Sequence, residues 1–267
     1  MKQSRLARLL HEKLPAVGGW INMVDPLVPV IFANAGYDWL LIDMEHHPFT
    51  ETQVQSMFHA VRHMDVTPVV RVRGNDPGFI KWVLDAGAGG IVVPMIENYA
   101  EAVKAVDAVK YPPMGSRGFS PLRVTDNWAT LQEYRARANE EVLAVCQIER
   151  EGAVRDIEKI VELPGCDAVW IGPGDLSNSM GFPGDPNHPR VQETIEHVIQ
   201  IATQADKPWG KPVRTIEDFS ACVRQGALLM VLGSDTFFLS SQADALCRDG
   251  MDLLATDKLR NDSTRPG

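Results

Sequence analysis

The alternation of apolar, β-rich runs with helical stretches is the feature that most constrains the fold of this chain. Eight such runs recur, at residues 17–21, 37–43, 68–72, 90–94, 142–148, 167–172, 211–213 and 227–232. Buried strands that alternate with helices are typical of parallel βαβ units. Eight units in 267 residues match a (β/α)8 barrel, which typically needs about 250 residues. The pattern therefore predicts an α/β protein with a single TIM barrel over residues 1–254.

One strand of this barrel is weaker than the others, and one helix has clear end signals. Pro208 and Pro212 interrupt the run at 211–213, and a proline in a central strand removes a donor from the hydrogen-bond ladder. In contrast, the Asn-Asp-Pro sequence at 75–77 combines a capping side chain with a proline suited to the first helical turn. We therefore expect a helix over 76–86.

The connections and chain ends carry three further expectations. The longest irregular stretch, 111–123, is rich in Gly, Pro and Arg, which is typical of a functional loop. We expect it to form a lid over a site on the same face of the barrel. Leucines at helical spacing in residues 1–15 predict a leading helix rather than a signal peptide. Residues 255–267 lose apolar periodicity, so we expect a disordered tail there.

Charge and cysteine pattern argue against several classes of protein. A formal net charge of −9 without clustered Lys and Arg disfavours nucleic-acid binding, which requires positive charge against the phosphates. No apolar stretch approaches the roughly 18 residues that can cross a bilayer, so no membrane partner is expected. The four cysteines are widely spaced, with no Cys-x-x-Cys pair and no secretion signal. These features predict a cytoplasmic protein with reduced, mostly buried thiols.

Two apolar runs end abruptly on a carboxylate, and this pattern suggests a metal site. Glu149 follows the fifth run and Asp175 follows the sixth. Carboxylates at the ends of parallel strands meet at the rim where ligands of α/β proteins bind, and two of them suit Mg²⁺ or Mn²⁺. An alternative is that Glu149 begins a helix and Asp175 caps a turn. The backbone N–H groups around Gly174 form a further candidate site for a carboxylate or phosphate.

Other polar residues gather at the same predicted rim. His46 has the chemistry of a general base, with Asp43 or another carboxylate to orient it, or it is a partly buried structural histidine. His47 is the weaker candidate, and we expect it to face solvent. Arg71 is placed to stabilise an enolate or hold a carboxylate, or to form a structural salt bridge.

Two more residues have a structural and a functional interpretation. Asp85 lies near a helix end, where its charge opposes the helix dipole, so we expect a specific cationic or imidazole partner. Trp20 follows the first run, where it either packs in the core or lines a ligand pocket.

Seven ordered motifs resemble those of the metal-dependent (class II) pyruvate aldolases of the HpcH/HpaI family. This family includes aldolases of 4-hydroxy-2-oxoheptanedioate and of 2-keto-3-deoxy sugar acids. The motifs are Ile42-Asp43-Met44-Glu45-His46, Val70-Arg71 with Asn75-Asp76-Pro77, Val93-Pro94-Met95, Tyr111-Pro112-Pro113, Ser116-Arg117-Gly118, Gln147-Ile148-Glu149 and Ile171-Gly172-Pro173-Gly174-Asp175-Leu176-Ser177.

The resemblance implies a set of roles in one pocket. Glu149 and Asp175 would bind the metal, with Mg²⁺ or Mn²⁺ favoured and Co²⁺ or Zn²⁺ also suitable. Pyruvate would chelate that metal in a pocket formed by Trp20, Gln147, Gly174 and Asp175.

Catalysis and assembly are also implied by the resemblance. Arg71 would stabilise the enolate, and His46 would transfer protons with support from Asp85 of a neighbouring subunit. Members of the family are typically homo-hexamers, built as trimers of dimers, in which the final helix is exchanged between subunits; residues 235–249 would have this role.

The residues and the resemblance together predict a lyase that cleaves or forms 4-hydroxy-2-oxoacids from pyruvate and an aldehyde. Alternatives are oxaloacetate decarboxylation, citrate-lyase-like cleavage of an acyl-CoA, and a non-catalytic barrel that binds metal and oxoacid. The chain departs from the family pattern at His47, at Gly174 and over residues 119–123. These departures lie around the expected aldehyde side of the pocket.

Overall fold

The structure is a computed structural model that describes residues 4–263, with side chains described for residues 4–255. Its parallel strands pair in chain order, and β9 pairs with β1, so the sheet forms a nearly closed barrel. The predicted α/β barrel is confirmed. The strands are β1 (Ala16–Ile21), β2 (Trp39–Asp43), β3 (Thr67–Arg71), β4 (Gly90–Val93), β5 (Leu143–Ile148), β6 (Ala168–Ile171), β7 (Trp209–Gly210), β8 (Pro212–Val213) and β9 (Leu229–Ser234).

The seventh strand is divided, which corrects the prediction of one strand at 211–213. β7 pairs with β6, and β8 pairs with β9, so the described sheet has nine strands instead of eight. Proline has no N–H to donate, and the ladder breaks within this proline-containing segment. The carbonyl of Pro208 accepts from Val169 N–H at 3.0 Å, and that of Trp209 accepts from Leu228 N–H at 2.9 Å. The segment therefore links β6 to β9 despite the break.

Helices connect the strands and cover the outside of the barrel. The predicted helix at 76–86 is confirmed, with the Asp76 carboxylate accepting from Phe79 N–H at 2.8 Å and Gly87 ending the helix at φ +130°. The described helices are α1 (Arg5–His11), α2 (Leu27–Asn34), α3 (Glu51–Val61), α4 (Pro77–Ala86), α5 (Tyr99–Val109), α6 (Leu131–Glu141), α7 (Glu151–Arg155), α8 (Ile157–Glu162), α9 (Pro173–Ser179), α10 (Pro189–Gln204), α11 (Ile216–Arg224) and α12 (Asp235–Ser263).

The barrel interior is filled by a cluster of buried apolar side chains. Trp39 and Trp170 meet edge to face, with their ring centroids 5.6 Å apart. Leu6 and Leu10 of α1 belong to the same buried cluster, so this helix closes the amino-terminal end of the barrel. The predicted leading helix is confirmed, but it ends at His11 instead of residue 15. The first three residues of that prediction lie outside the described residues.

The irregular stretch at 111–123 packs at the end of the barrel opposite the carboxyl ends of the strands. It follows the carboxyl end of α5, and each helix runs antiparallel to its preceding strand. Arg117 pairs with Asp85 at the end of α4, and the carbonyl of Arg123 accepts from Arg62, just beyond α3. The expectation of a lid over the rim is therefore wrong for this chain by itself, because the preceding helix has returned to the other face.

The last helix, α12, is continuous from the end of β9 to Ser263. The backbone of residues 255–263, where a disordered tail was predicted, is helical here, and residues 264–267 lie outside the described residues. The exchange of this helix between subunits stays a prediction. Its described part exposes a series of large apolar side chains, namely Phe237, Phe238, Leu239, Leu246, Met251, Leu253 and Leu254.

The cysteines agree with the expectation of reduced and mostly buried thiols. Cys146, Cys166 and Cys222 are buried, Cys247 is exposed, and all four are free. No helix in the described part of the chain has both the length and the apolar composition needed to span a membrane.

Candidate active site

The carboxyl ends of the strands surround an open cavity of about 400 Å³. Because α1 closes the other end of the barrel, the cavity opens only toward the loops that follow the strands. Side chains and backbone from most of the strand ends contribute to its wall. The lining residues are Trp20, Asn22, Asp43, His46, His47, Arg71, Gln147, Trp170, Gly172, Pro173, Gly174, Asp175, Pro212 and Ser234.

Arg71 is held in this wall by Asp43 and Trp20. β2 and β3 place Asp43 directly beside Arg71, and the guanidinium donates Nε to Oδ1 at 2.9 Å and Nη2 to Oδ2 at 2.8 Å. The Trp20 ring lies 4.7 Å from the guanidinium carbon, an arrangement that favours a cation–π contact. Although burial alone raises the pKa of Asp43, the bonds from Arg71 outweigh it and lower that pKa. Asp43 is therefore a charged, rigid anchor.

Glu149 is fully buried beside the cavity, and its contacts argue against a helix-capping role. One carboxylate oxygen accepts from Met95 N–H at 2.7 Å, and the other accepts from the Gln147 side-chain amide. The N-cap position of α7 belongs to the next residue, Arg150. Burial raises the pKa of Glu149, and the negative charge of Asp175 adds to this rise. Glu149 therefore faces a second carboxylate across the site.

Asp175 lies in the first turn of α9 and lines the cavity. No described residue donates a hydrogen bond to its carboxylate. Position 172, shortly before Asp175, requires glycine, because a Cβ on Gly172 would lie 2.6 Å from Glu149 Oε2. Gly174 is exposed at the cavity mouth, where a Cβ would meet nothing within 4 Å. The α9 start thus leaves room beside the two carboxylates.

The donor set fits a hard divalent cation. Burial and the negative charge of Asp175 both disfavour the charged form of Glu149, and a bound cation would offset that penalty. The Oε1 atom of Gln147 is buried without a hydrogen-bond partner in the same wall. The described residues contain no cluster of three or more acidic, His or Cys ligands. Two carboxylates with water or substrate oxygens match the coordination habits of Mg²⁺ and Mn²⁺.

Glu45, part of the motif at 42–46, is a site residue to which the sequence alone assigns no role. Its carboxylate lies 3.2 Å from Arg71 Nε and 3.7 Å from His46 Nε2. Burial raises the pKa of Glu45 to about 7, although the positive charge of Arg71 lowers it. The negative charges of Glu149 and other nearby carboxylates raise this pKa further. The acidic and imidazole residues that end β2 and follow it indicate several groups that can transfer protons. They do not indicate which of these side chains face the cavity.

Of the two adjacent histidines, His47 differs from its predicted arrangement, whereas His46 has another carboxylate than Asp43 beside it. His47 does not face solvent freely, because its Nδ1 lies 3.0 Å from Asp43 Oδ2 and one third of its side chain is exposed. His46 lines the cavity with its side chain about half exposed, near Glu45 and not hydrogen-bonded through its ring to Asp43. The carboxylate near His46 is therefore Glu45, while Asp43 orients His47.

Asp85 lies away from this cavity within the chain. It has the cationic partner that its position predicted, since Arg117 Nη2 donates to it at 2.7 Å. It stands at the carboxyl end of α4, near the amino-terminal end of the barrel. The structure thus brings together Trp20, His46, Arg71, Gln147, Glu149, Gly174 and Asp175, but not Asp85. A contribution of Asp85 to a neighbouring subunit stays a prediction.

Comparison with known proteins identifies the family of the chain. Residues 17–241 match the model of the HpcH/HpaI aldolase/citrate lyase family. The chain belongs to the HpcH/HpaI family. It is 38% identical over 233 residues to 4-hydroxy-2-oxo-heptane-1,7-dioate aldolase from Shigella sonnei, covering 87% of this chain and 89% of the relative. It is 35% identical over 238 residues to 2-dehydro-3,6-dideoxy-6-sulfogluconate aldolase from Pseudomonas putida, covering 89% and 93%.

Solved structures of similar proteins have the same fold. A family protein from Burkholderia cenocepacia matches with a TM-score of 0.87 at 30% identity, covering 93% of this chain and 99% of that one. The citrate synthase SbnG matches with a TM-score of 0.80 at 27% identity, covering 96% and 98%. The predicted family is therefore confirmed over most of the barrel.

Proposed function

We propose that this chain is a divalent-metal-dependent aldolase that cleaves or forms 4-hydroxy-2-oxoacids through a pyruvate enolate and an aldehyde. The proposal depends on one observation: Arg71, Glu149 and Asp175 lie together around one open cavity. The similarity to two aldolases at 35–38% identity supports carbon–carbon lyase chemistry. The same chemistry needs positive charge where an enolate oxygen develops, and a proton-transfer group beside it.

Cleavage breaks the bond between C3 and C4 of the oxoacid. The 4-hydroxyl loses its proton, C4 leaves as an aldehyde, and the bond electrons pass into the pyruvate enolate, which is then protonated at C3. When bound by Glu149 and Asp175, a divalent cation supplies positive charge that favours the enolate. Arg71 supplies a second positive charge, and its pairing with Asp43 fixes its direction before substrate arrives.

Three other groups would bind substrate or move protons. The unpartnered Gln147 Oε1 and Trp20 Nε1 are buried polar atoms that a bound ligand or water can satisfy. His46 would accept the 4-hydroxyl proton, with Glu45 next to it as a second titratable group. Gly174 and Asp175 would contact substrate at the open mouth, where no Cβ fills the space.

Assembly and location are part of the same proposal. The exposed apolar side chains of α12 favour burial against another copy of the chain. We propose a cytoplasmic homo-hexamer, a trimer of dimers, in which Asp85 reaches the His46 of a neighbouring subunit. Sedimentation velocity tests the hexameric assembly directly, and a monomer at micromolar concentration would refute that assembly.

Isotope exchange tests the proposed chemistry. Metal-stripped protein is compared with protein restored with Mg²⁺, Mn²⁺ or Co²⁺, and the loss of the pyruvate methyl proton signal in D₂O is followed by NMR. Pyruvate release from several 4-hydroxy-2-oxoacids and from oxaloacetate is measured in parallel. Metal-dependent exchange with oxoacid cleavage is expected. Oxaloacetate turnover alone would indicate the decarboxylase alternative, and neither reaction would leave a non-catalytic binding barrel.

The Glu149→Gln variant tests the metal ligand. Loss of one of two anionic ligands should abolish metal-dependent exchange, whereas the folded barrel should remain by circular dichroism. Glu133→Gln, at an exposed position in α6, is the matched control and should retain full exchange. Full exchange in the Glu149 variant would remove this residue from the ligand set.

A further inference from the structure

His47 is fixed in the cavity wall by a carboxylate that is itself immobilised. Oδ2 of Asp43 lies 3.0 Å from His47 Nδ1 and accepts from Arg71 Nη2 at 2.8 Å. Asp43 is only 1% exposed. The buried carboxylate of Asp43 cannot turn without losing its hydrogen bonds from Arg71. The imidazole of His47, which contacts this carboxylate, therefore has a defined position.

This contact decides which nitrogen of His47 is available to a ligand. The pKa of Asp43 is lowered, so its carboxylate is ionised and can only accept hydrogen bonds. Nδ1 of His47 must therefore carry the proton, and Nε2 is the acceptor of the neutral ring. Nε2 has no hydrogen-bond partner among the described residues, and the side chain lines the cavity.

A second polar group in the same wall also lacks a partner. Asn22 donates its amide to Thr236 at 3.1 Å, while its Oδ1 is buried with no hydrogen bond. Asn22 follows β1 and His47 follows β2, so both lie across the barrel from Glu149, which directly follows β5. Two free acceptors on one wall are complementary to hydroxyl groups of a ligand.

We propose that His47 is a specificity-determining residue that hydrogen-bonds, through Nε2, a hydroxyl group next to the carbonyl of the acceptor aldehyde. This inference rests on the proposed aldolase function. In the addition direction, C3 of the pyruvate enolate bonds to the aldehyde carbon and the aldehyde oxygen gains a proton. His47 takes no part in that bond change but orients the aldehyde by its neighbouring hydroxyl.

Glycolaldehyde and propionaldehyde test the role, because they differ by a hydroxyl in place of a methyl. The readout is the ratio of kcat/KM for the two aldehydes with pyruvate and Mg²⁺, measured on the wild type and on His47→Ala. A net hydrogen bond of about 1.4 kcal/mol predicts that the preference for glycolaldehyde falls about tenfold in the variant. His59→Ala, at an exposed position in α3, is the matched control and should keep the wild-type ratio.

His47→Asn separates direct contact from an effect through Asp43. Its amide nitrogen can replace Nδ1 toward Asp43, but it has no atom at the position of Nε2. We expect this variant to lose the preference as His47→Ala does. Retention of the wild-type ratio in His47→Ala, or its recovery in His47→Asn, overturns the proposal. No addition of either aldehyde by the wild type, and no pyruvate exchange, would instead refute the aldolase function itself.

Discussion

Replacing Asp43 with asparagine tests the buried ion pair on which the site geometry depends. The substitution preserves side-chain size but turns one oxygen into an NH₂ group, which cannot accept a hydrogen bond. If the amide oxygen keeps the contacts of Oδ1, the bonds from Arg71 Nη2 (2.8 Å) and His47 Nδ1 (3.0 Å) are lost. The Arg71 charge stays buried, with Glu45 still 3.2 Å away.

The expected loss of unfolding free energy in Asp43→Asn follows from the contacts that Arg71 keeps. Removing one partner of a buried pair lowers stability by about 3–5 kcal/mol, and we expect about 3 kcal/mol for Asp43→Asn because Glu45 still offsets the Arg71 charge. Urea unfolding at pH 7 in the presence of Mg²⁺ measures this difference. The control is Asp126→Asn, which breaks an exposed pair with Arg62 and should change stability by about 1 kcal/mol or less.

The same comparison has a definite pH dependence. Because the folded-state pKa of Asp43 is lowered, its stabilisation is fully present above the unfolded pKa, which is about 3.9. That stabilisation is lost as the pH falls through the folded value. The part of the unfolding free energy difference between wild type and Asp43→Asn that comes from the Asp43 charge should therefore shrink as the pH falls below about 4. A difference below 1 kcal/mol at pH 7, or one that does not change in acid, would contradict the argument.

Two further predictions concern contacts that hold the barrel together. Lys110 is fully buried, with Nζ 2.7 Å from Asp167, so Lys110→Met should lower unfolding free energy by about 3–5 kcal/mol in urea, and a second change, Asp167→Asn, should recover part of the loss. A Cβ at Gly210 would overlap the carbonyl of Leu229, so Gly210→Ala should lower the melting temperature, whereas Gly250→Ala, in open space, should not. An unchanged melting temperature for Gly210→Ala would mean that β7 and β9 are not closely packed.

The predictability of the strands came from their composition. Continuous apolar runs are typical of strands buried on both faces, and the seven runs of five to seven residues became strands within one or two residues. The carboxylate and arginine positions followed, since residues at the ends of parallel strands share one rim. The position of Glu149, Asp175 and Arg71 at this rim is therefore predictable from sequence, while their roles stay predictions.

The two wrong predictions, a single seventh strand and a lid formed by residues 111–123, have a common physical origin. The division of the seventh strand depends on backbone hydrogen bonds to β6 and β9, which are remote in sequence. The position of the loop at 111–123 depends on the direction in which α5 returns across the barrel. Local composition specified a strand-forming and a loop-forming segment correctly, but it carried no information on these long-range partners.

The sequence by itself determined the barrel, the family and the charged rim, because burial and strand periodicity are properties of short segments. Only the tertiary structure decided that Asp43 orients His47 rather than His46, that Glu45 faces Arg71, and that Asp85 lies at the opposite end of the barrel. Each of these depends on where side chains of neighbouring strands point after the barrel closes. A hydrogen bond of 3 Å is decided by that closure, and adjacent residues such as His46 and His47 can have different partners within it.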